Sequence, residues 1–249
     1  MTLKEIFDQL TFGELSQLSL GGAESGEIDG NNYVKIIPHI NLAMTALYKR
    51  FNLKEDRLLL YPINYKYSYD INAKNAAINS ASISPTKYLV KPNGLIVTNN
   101  ILKIEQVTND LGNEYNLNDV NDLYSLYTPT MTSIRIPMNI VDKKNNIPKE
   151  YLTEYFEIIY RAKHDVIGEN IEFLALDSIE IDLPEAYLEL LLLFVAARIM
   201  LPLGAGQFEG LGGNNHMAKY EMAAQQIEQS NLKIDHNSRN NRLHEKGWA

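Results

Sequence analysis

The sequence contains no cysteine among its 249 residues. This excludes a disulfide framework and any zinc site with cysteine ligands. Basic residues are also in the minority, with 23 Lys and Arg against 31 Asp and Glu and a net charge of −8. Proteins that read nucleic acids usually present a basic patch, so this balance argues against such a role. An acidic wall is still compatible with DNA that slides past without sticking.

Long apolar runs are absent as well. The longest run, residues 188–203, contains Glu189 and Arg198, and it is shorter than the roughly 20 residues that span a bilayer. The first residues, MTLKEIFDQL, lack the basic start and apolar core of a signal peptide. We therefore expect a soluble, cytosolic protein or a part of a soluble assembly, with no membrane partner.

Motifs that carry catalytic chemistry are scarce. There is no P-loop and no GxSxG nucleophile motif. The segment GAGQFEG, residues 204–210, has a GxGxxxG spacing. A dinucleotide fingerprint follows a strand, whereas this segment follows a predicted helix, so we interpret it as an interhelical loop. The alternative is a small hydrolase or nucleotide-binding enzyme with a perturbed acid or histidine beside residues 204–213.

Histidines and acids form no clear site. The five histidines make no HxH or HxxxH pair, and we interpret each as a surface or hydrogen-bonded residue. The acids Asp177, Glu180 and Asp182 allow a metal or acid–base cluster, but their place before a helix favours solvated and capping roles. We therefore predict no catalytic residue, no metal and no cofactor. The histidines are His39, His164, His216, His236 and His244.

Helical periodicity marks the N-terminal region. Leu3, Ile6, Phe7 and Leu10 have helical spacing. A second helix is predicted up to about Phe51, after an N-cap at Asn31 or Asn32, with Pro38 marking a kink or a later helix start. Its predicted apolar face is Ile36, Ile40, Ala43, Met44, Leu47 and Phe51.

From about Leu53 the period changes to two, which is typical of strands. Residues 57–71 predict two strands around residues 62–64, with Tyr65, Tyr67 and Tyr69 on one side of the second. A hairpin is predicted to turn at residues 110–113. Further strands are predicted at about 131–136 and 155–167, and long loops at 71–100 and 117–130.

Helix returns near residue 184. Asp182 and Glu185 fit a capping box, with Pro184 in the first turn, and the helix over 184–201 is apolar almost all round, which predicts burial on most sides. A last helix is predicted over 214–230, with Met217, Tyr220, Ala224 and Ile227 on one stripe. The sequence thus predicts an α+β fold in which residues 1–52 and 183–230 form a discontinuous helical domain and residues 53–182 form a β-rich insert.

The last nineteen residues, 231–249, are a polar tail that contains the only tryptophan, Trp248. The tail has too little apolar surface to order itself, so we expect it to fold on binding. Four cations outnumber two acids in it, which suits an acidic partner surface. Tryptophan is a frequent interface anchor. We therefore predict that the tail is a docking segment.

Four segments resemble, in the same order along the chain, the head-to-tail adaptor proteins of short-tailed bacteriophages. This family includes the tail tubular protein A of T7-like phages and ring proteins of crAss-like phages. The resemblance does not extend to the loops 71–100 and 117–130. The segments are INLAMTALYKRFNLKE (40–55), YRAKHDVI (160–167), IDLPEAYLELLLLFVAARI (181–199) and NNRLHEKGWA (240–249).

The resemblance implies a structural virion protein at the head–tail junction, assembled in the host cytoplasm. It implies a homo-oligomeric ring, usually a dodecamer, that docks beneath the portal protein, contacts further tail or nozzle ring proteins and surrounds genomic DNA without binding it specifically. The alternative within this class is another neck or tail-assembly protein. The predicted ring interface is Leu188, Leu191, Leu192, Val195 and Ile199. The predicted residues for docking to the portal or a neighbouring subunit are Arg239, Arg242, Leu243, Lys246 and Trp248.

Overall fold

A computed structural model describes residues 1–16, 30–92, 97, 99–141, 148, 151, 153–168, 173–204 and 213–230. Helices and antiparallel sheets are both present, so the fold class is α+β. The helices are α1 (Leu3–Phe12), α2 (Gly30–Arg50), α3 (Met138–Val141), α4 (Leu188–Gly204) and α5 (Gly213–Gln229). The strands are β1 (Glu55–Leu60), β2 (Ser68–Asp70), β3 (Leu89–Val90), β4 (Ile101–Thr108), β5 (Tyr127–Thr130), β6 (Ser133–Arg135) and β7 (Phe156–Ala162).

The chain divides into two compact units. Residues 1–53 and 164–249 form a helical unit, and residues 54–163 form a β unit. The β unit ends earlier than the predicted insert, 53–182, because backbone hydrogen bonds tie the segment after residue 163 to the start of the chain. The N–H of Leu3 donates to the carbonyl of Ile179 at 2.9 Å, and that of Ile181 donates to the carbonyl of Met1 at 2.8 Å.

Apolar periodicity explains the first two helices. A capping box between Thr2 and Glu5 opens α1, which satisfies backbone N–H groups that have no partner within the helix. Helix α2 begins at Gly30 and continues through Pro38. Both the N-cap predicted at Asn31 or Asn32 and a later helix start are therefore wrong. Burial of the predicted apolar face outweighs the hydrogen bond that the proline removes.

Helices α4 and α5 pack together in the helical unit, where the ring of Phe194 meets that of Tyr220 at 5.4 Å between centroids. Arg50, at the end of α2, contacts carboxylates of α5 at 2.7 Å (Glu221) and 2.9 Å (Glu228). The guanidinium also lies 6.0 Å from the centre of the Tyr220 ring. The end of α2 is thus held against α5 by ion pairs and by a cation–π contact.

The capping box predicted for α4 does not form. A 3-10 turn, Glu185–Tyr187, precedes the helix, and its N-cap is Pro184 without a side-chain hydrogen bond. Asp182 lies too early to cap α4, which begins at Leu188. Among the described residues, no helix has the length and apolar character needed to cross a bilayer.

In the β unit, one antiparallel sheet has the order β3-β1-β7-β4 and a second has the order β2-β6-β5. Strand β7 lies inside the larger sheet, and alternate residues from Phe156 to Ala162 are buried, as expected where one face meets a core. The hairpin turn predicted at residues 110–113 is confirmed, with the N–H of Asn109 bonded to the carbonyl of Asn113 at 2.9 Å. Gly112 adopts a φ of +83° in that turn, a value that glycine accepts without strain.

The prediction for the tyrosine-rich strand is wrong in part. Only Tyr69 is buried, whereas Tyr65 is 84% exposed and Tyr67 is 52% exposed. Tyr65 lies in a turn with a φ of 63°, so the alternation of a strand has not begun at that residue.

Candidate functional site

The candidate site is a cavity of about 350 Å³ within the helical unit. Met44 of α2 lines one wall, and residues 164–168 and 179–182 line the others. Met44, Ile167 and Ile181 are buried apolar residues of its lining. Exposed acidic residues, Asp165, Glu180 and Asp182, also line it. The cavity therefore combines an apolar floor with an acidic rim.

Three polar residues of α2 hold this wall in place. Asn41, Thr45 and Tyr48 are spaced by four and three residues, so they lie on one side of the helix. The amide of Asn41 donates to the carbonyl of Ile167 at 2.9 Å and accepts from its N–H at 3.0 Å. The hydroxyl of Tyr48 donates to the carbonyl of Asp182. Polar groups of a helix thus fix both segments that enclose the cavity.

His164 lines the cavity and is only 4% exposed. Its Nδ1 lies 2.9 Å from the carbonyl oxygen of Asp165, and because a carbonyl only accepts, Nδ1 carries a proton. Its Nε2 lies 2.9 Å from Oγ1 of Thr45, which is also 2.9 Å from the carbonyl of Asn41. Threonine has one hydroxyl proton. When His164 is neutral, the Thr45 hydroxyl donates to Nε2. When His164 is charged, Nε2 donates to that hydroxyl, which donates to the carbonyl of Asn41. Either form therefore has a matching partner at each ring nitrogen.

Negative charge acts on the same wall. Burial, and then the charges of Asp182 and Asp165, raise the pKa of Tyr48 well above its ordinary value. Tyr48 is therefore a neutral hydrogen-bond donor at physiological pH. Two carboxylates that both act on this phenol make the rim favourable for a cation and unfavourable for an anion.

The predicted docking residues of the tail are Arg239, Arg242, Leu243, Lys246 and Trp248, and all five lie outside the described residues. Their role stays a prediction. The same holds for His236 and His244, and for residues 205–212 of the glycine-rich segment. That segment joins the end of α4 at Gly204 to the start of α5 at Gly213, which is where an interhelical loop was predicted.

Three of the five predicted ring-interface residues are buried within a single chain. Leu191 and Val195 are fully buried within a single chain, and Leu192 is 8% exposed. These side chains form the core of the helical unit, because α4 packs against α1, α2 and α5, and a buried core side chain offers no surface to a neighbouring copy. Only Leu188 and Ile199 of the five are partly exposed.

The other candidate groups occupy separate places. Asp177 pairs with Lys4 at 3.2 Å on the surface, whereas Asp182 lines the cavity, so the three acids do not form one cluster. His216 lies 3.0 Å from Glu14. Burial, and then the charge of Arg198, lower the pKa of His39. Within the described ranges, no group of three or more His, Cys, Asp or Glu residues could hold a metal ion.

Sequence reasoning considered His164 only as a hydrogen-bonded or surface residue and gave Asn41, Thr45, Tyr48 and Asp165 no role. The helical spacing of Asn41, Thr45 and Tyr48 is the signal that could have identified the wall. No protein-family model matches the chain, and a search of curated proteins finds no match. The function is therefore argued from the residues and their geometry.

Proposed function

We propose that the protein is a structural virion component, a head-to-tail adaptor that forms a ring beneath the portal and joins the capsid to the tail. The observation that carries the proposal is the arrangement of the chain. Both ends contribute to one helical unit, and residues 54–163 form a separate β unit. This is the organisation that the resemblance to phage adaptors implies.

The ring contact in this proposal comes from surface residues of the helical unit, since most of the predicted α4 contacts are buried. Val34 and Leu42 are 44% and 41% exposed, and Pro38 between them is also exposed. These residues are four apart on α2 and form one stripe. We propose that a second copy of the chain covers this stripe. A heterologous contact of this kind joins different surfaces of neighbouring copies. It forms a ring when the rotation from one copy to the next completes a full turn.

The partners proposed for the ring are the portal protein on one side and further tail or nozzle ring proteins on the other. Genomic DNA passes through the channel without specific binding. The net charge of −8 supports weak adhesion to DNA. Tight, salt-sensitive binding of the isolated protein to duplex DNA would contradict this part of the proposal.

The decisive experiment removes the tail. A variant that ends at Ser230 loses no described residue, so it should keep the circular dichroism spectrum of the full chain. We expect it to lose attachment to portal-containing capsids, because the predicted anchors Leu243 and Trp248 are gone. Sedimentation with capsids measures attachment. Normal attachment by the truncated protein would contradict the proposal.

A matched pair of variants refines the result. Trp248→Ala removes the aromatic anchor, whereas Asn231→Ala changes a polar residue at the start of the tail. We expect only the first to weaken attachment. Mass measurement of the purified protein, alone and with the portal, separates the alternatives. A ring that forms only with the portal supports an adaptor, whereas a monomer that ignores the portal favours an enzyme or another assembly.

A further inference from the structure

The cavity of the helical unit has the chemistry of a receptor for a basic side chain. Its floor contains the buried apolar residues Met44, Ile167 and Ile181. Its rim contains the carboxylates of Asp165, Glu180 and Asp182. Lysine and arginine have an apolar stem and a cationic head. Such a side chain can place its stem on the floor and its charge among the acids.

The sequence contains a segment with the complementary charge. In residues 231–249, Lys233, Arg239, Arg242 and Lys246 outnumber Asp235 and Glu245, in a protein whose total charge is −8. Three of the four cations lie within residues 239–246. The tail thus has a basic excess that suits an acidic cavity.

We propose that the tail of the same chain occupies this cavity, with Arg239, Arg242 or Lys246 as the inserted side chain. The tail follows α5 directly and, fully extended, it can reach about 60 Å, which is longer than the diameter of a small domain. Tethering can give a linked segment an effective concentration in the millimolar range. A tail on the same chain therefore binds ahead of a tail from another copy at ordinary protein concentrations.

The consequence is a second function for the tail in the unassembled protein. Docked in its own cavity, the basic segment would be held until a surface with stronger complementarity displaces it. The inference depends only on the cavity and the charge of the tail, and it involves no portal. Its failure would leave the adaptor proposal intact, and its success would not establish that proposal.

The absence of cysteine makes a direct crosslinking test possible. Val166 lines the cavity and is 65% exposed, so Val166→Cys should be tolerated. Leu243→Cys places the second thiol among the three candidate cations. The control is Met222→Cys with Leu243→Cys. Met222 is 63% exposed on α5, and it is closer to the tail along the chain, so random collision favours the control pair.

We expect the Val166–Leu243 pair to form an intramolecular disulfide under mild oxidation about tenfold faster than the control pair, because docking raises the local concentration of the thiol. Neutralising the tail with Arg239→Gln, Arg242→Gln and Lys246→Gln should abolish this difference in rate between the two pairs. High salt should reduce it, since the rim is solvent-exposed. Gel mobility separates intramolecular products from dimers.

Equal rates for the two pairs would overturn the proposal. Products that are only covalent dimers would also overturn it, because they would assign the cavity to the tail of another copy. The tail-neutralised variant changes no described residue, so a lost advantage cannot come from unfolding of the helical unit. A second set of variants, Asp165→Asn, Glu180→Gln and Asp182→Asn, should have the same effect from the side of the cavity. Asp8→Asn, Glu154→Gln and Glu189→Gln change the charge equally elsewhere and should leave the rates unchanged.

Discussion

The two units use the same kinds of polar side chain for different purposes. Before strand β2 of the β unit, a buried phenol closes its own loop. The phenol of Tyr69 accepts from the N–H of Ile63 at 2.9 Å and donates to the carbonyl of Lys66 at 2.6 Å. In the helical unit, Tyr48 and Thr45 reach from α2 to distant segments, Asp182 and His164.

This difference has a physical origin. A loop of a β sheet has backbone groups that lack ladder partners, so nearby Asn, Asp and Tyr side chains satisfy them locally. A helix satisfies its own backbone, and its polar side chains are free to contact other elements. Four predictions test this comparison, ordered from the largest expected effect to the smallest.

The largest effect should come from the core of the β unit. Phe156 is fully buried in β7 and meets the ring of Tyr115 at 5.3 Å. Phe156→Ala should destabilise the protein by about 3–5 kcal/mol through the cavity that it leaves. Hydrogen exchange should show lost protection chiefly in residues 54–163. Glu157→Ala, on the opposite face of the strand, is the control, and an equal loss for both would contradict the assigned core.

The second prediction concerns the core of the helical unit. Leu191→Ala should cost about 2–5 kcal/mol in the isolated protein, because Leu191 packs within one chain. Leu188→Ala should cost clearly less, since Leu188 is partly exposed. Urea denaturation at low protein concentration measures the free energy of unfolding of both variants. A stable Leu191→Ala monomer that fails only in ring formation would restore the original assignment of this residue to a subunit contact.

The third prediction tests the wall of the cavity. Thr45→Val keeps the shape of the side chain but removes the hydroxyl that faces Nε2 of His164. Removing this hydrogen-bond partner of the buried ring should cost about 1–3 kcal/mol. Thr45→Ser keeps the hydroxyl and should cost less. Thermal unfolding of the pair measures the difference, and equal stability of the two variants would show that the contact contributes nothing.

The smallest effect should be a dependence on pH in the β unit. Burial alone would raise the pKa of Asp56, but hydrogen bonds from Lys91, from the N–H of Arg57 and from Tyr160 outweigh it and lower that pKa. Its stabilising contribution is therefore present above the unfolded pKa of about 4 and is lost as pH falls through the folded value. Asp56→Asn should reduce the loss of stability measured below about pH 4. An unchanged acid profile would contradict the role of this carboxylate.

The sequence predicted the helices better than their ends. Apolar spacing correctly identified the buried face of α2, including Ile36, Ile40 and Leu47, because one helix face repeats regularly along the chain. The predicted start of α2 and the predicted cap of α4 were wrong, since capping depends on which backbone groups are already satisfied. The prediction for Tyr65 and Tyr67 failed because a turn interrupts the alternation before β2 begins.

The candidate cavity was not predictable in the same way. Asn41, Thr45 and Tyr48 share a helical spacing, which makes them neighbours on α2. Nothing in that spacing shows that His164 and Asp182 lie opposite them. Contacts between residues more than a hundred positions apart depend on how the chain packs, and no local pattern records them.

By itself, the sequence determined the fold class, the approximate positions of the elements, the confirmed turn at residues 110–113 and the basic charge of residues 231–249. These properties follow from composition and from short-range periodicity, which act before the chain is packed. Only the tertiary structure decided that residues 164–182 belong to the helical unit, that Leu191 and Val195 are core residues, and that three carboxylates meet around an apolar floor. The reason is that long-range packing sets which side chains are buried and which charges lie close together. The position of each segment in a close-packed interior depends on the segments around it.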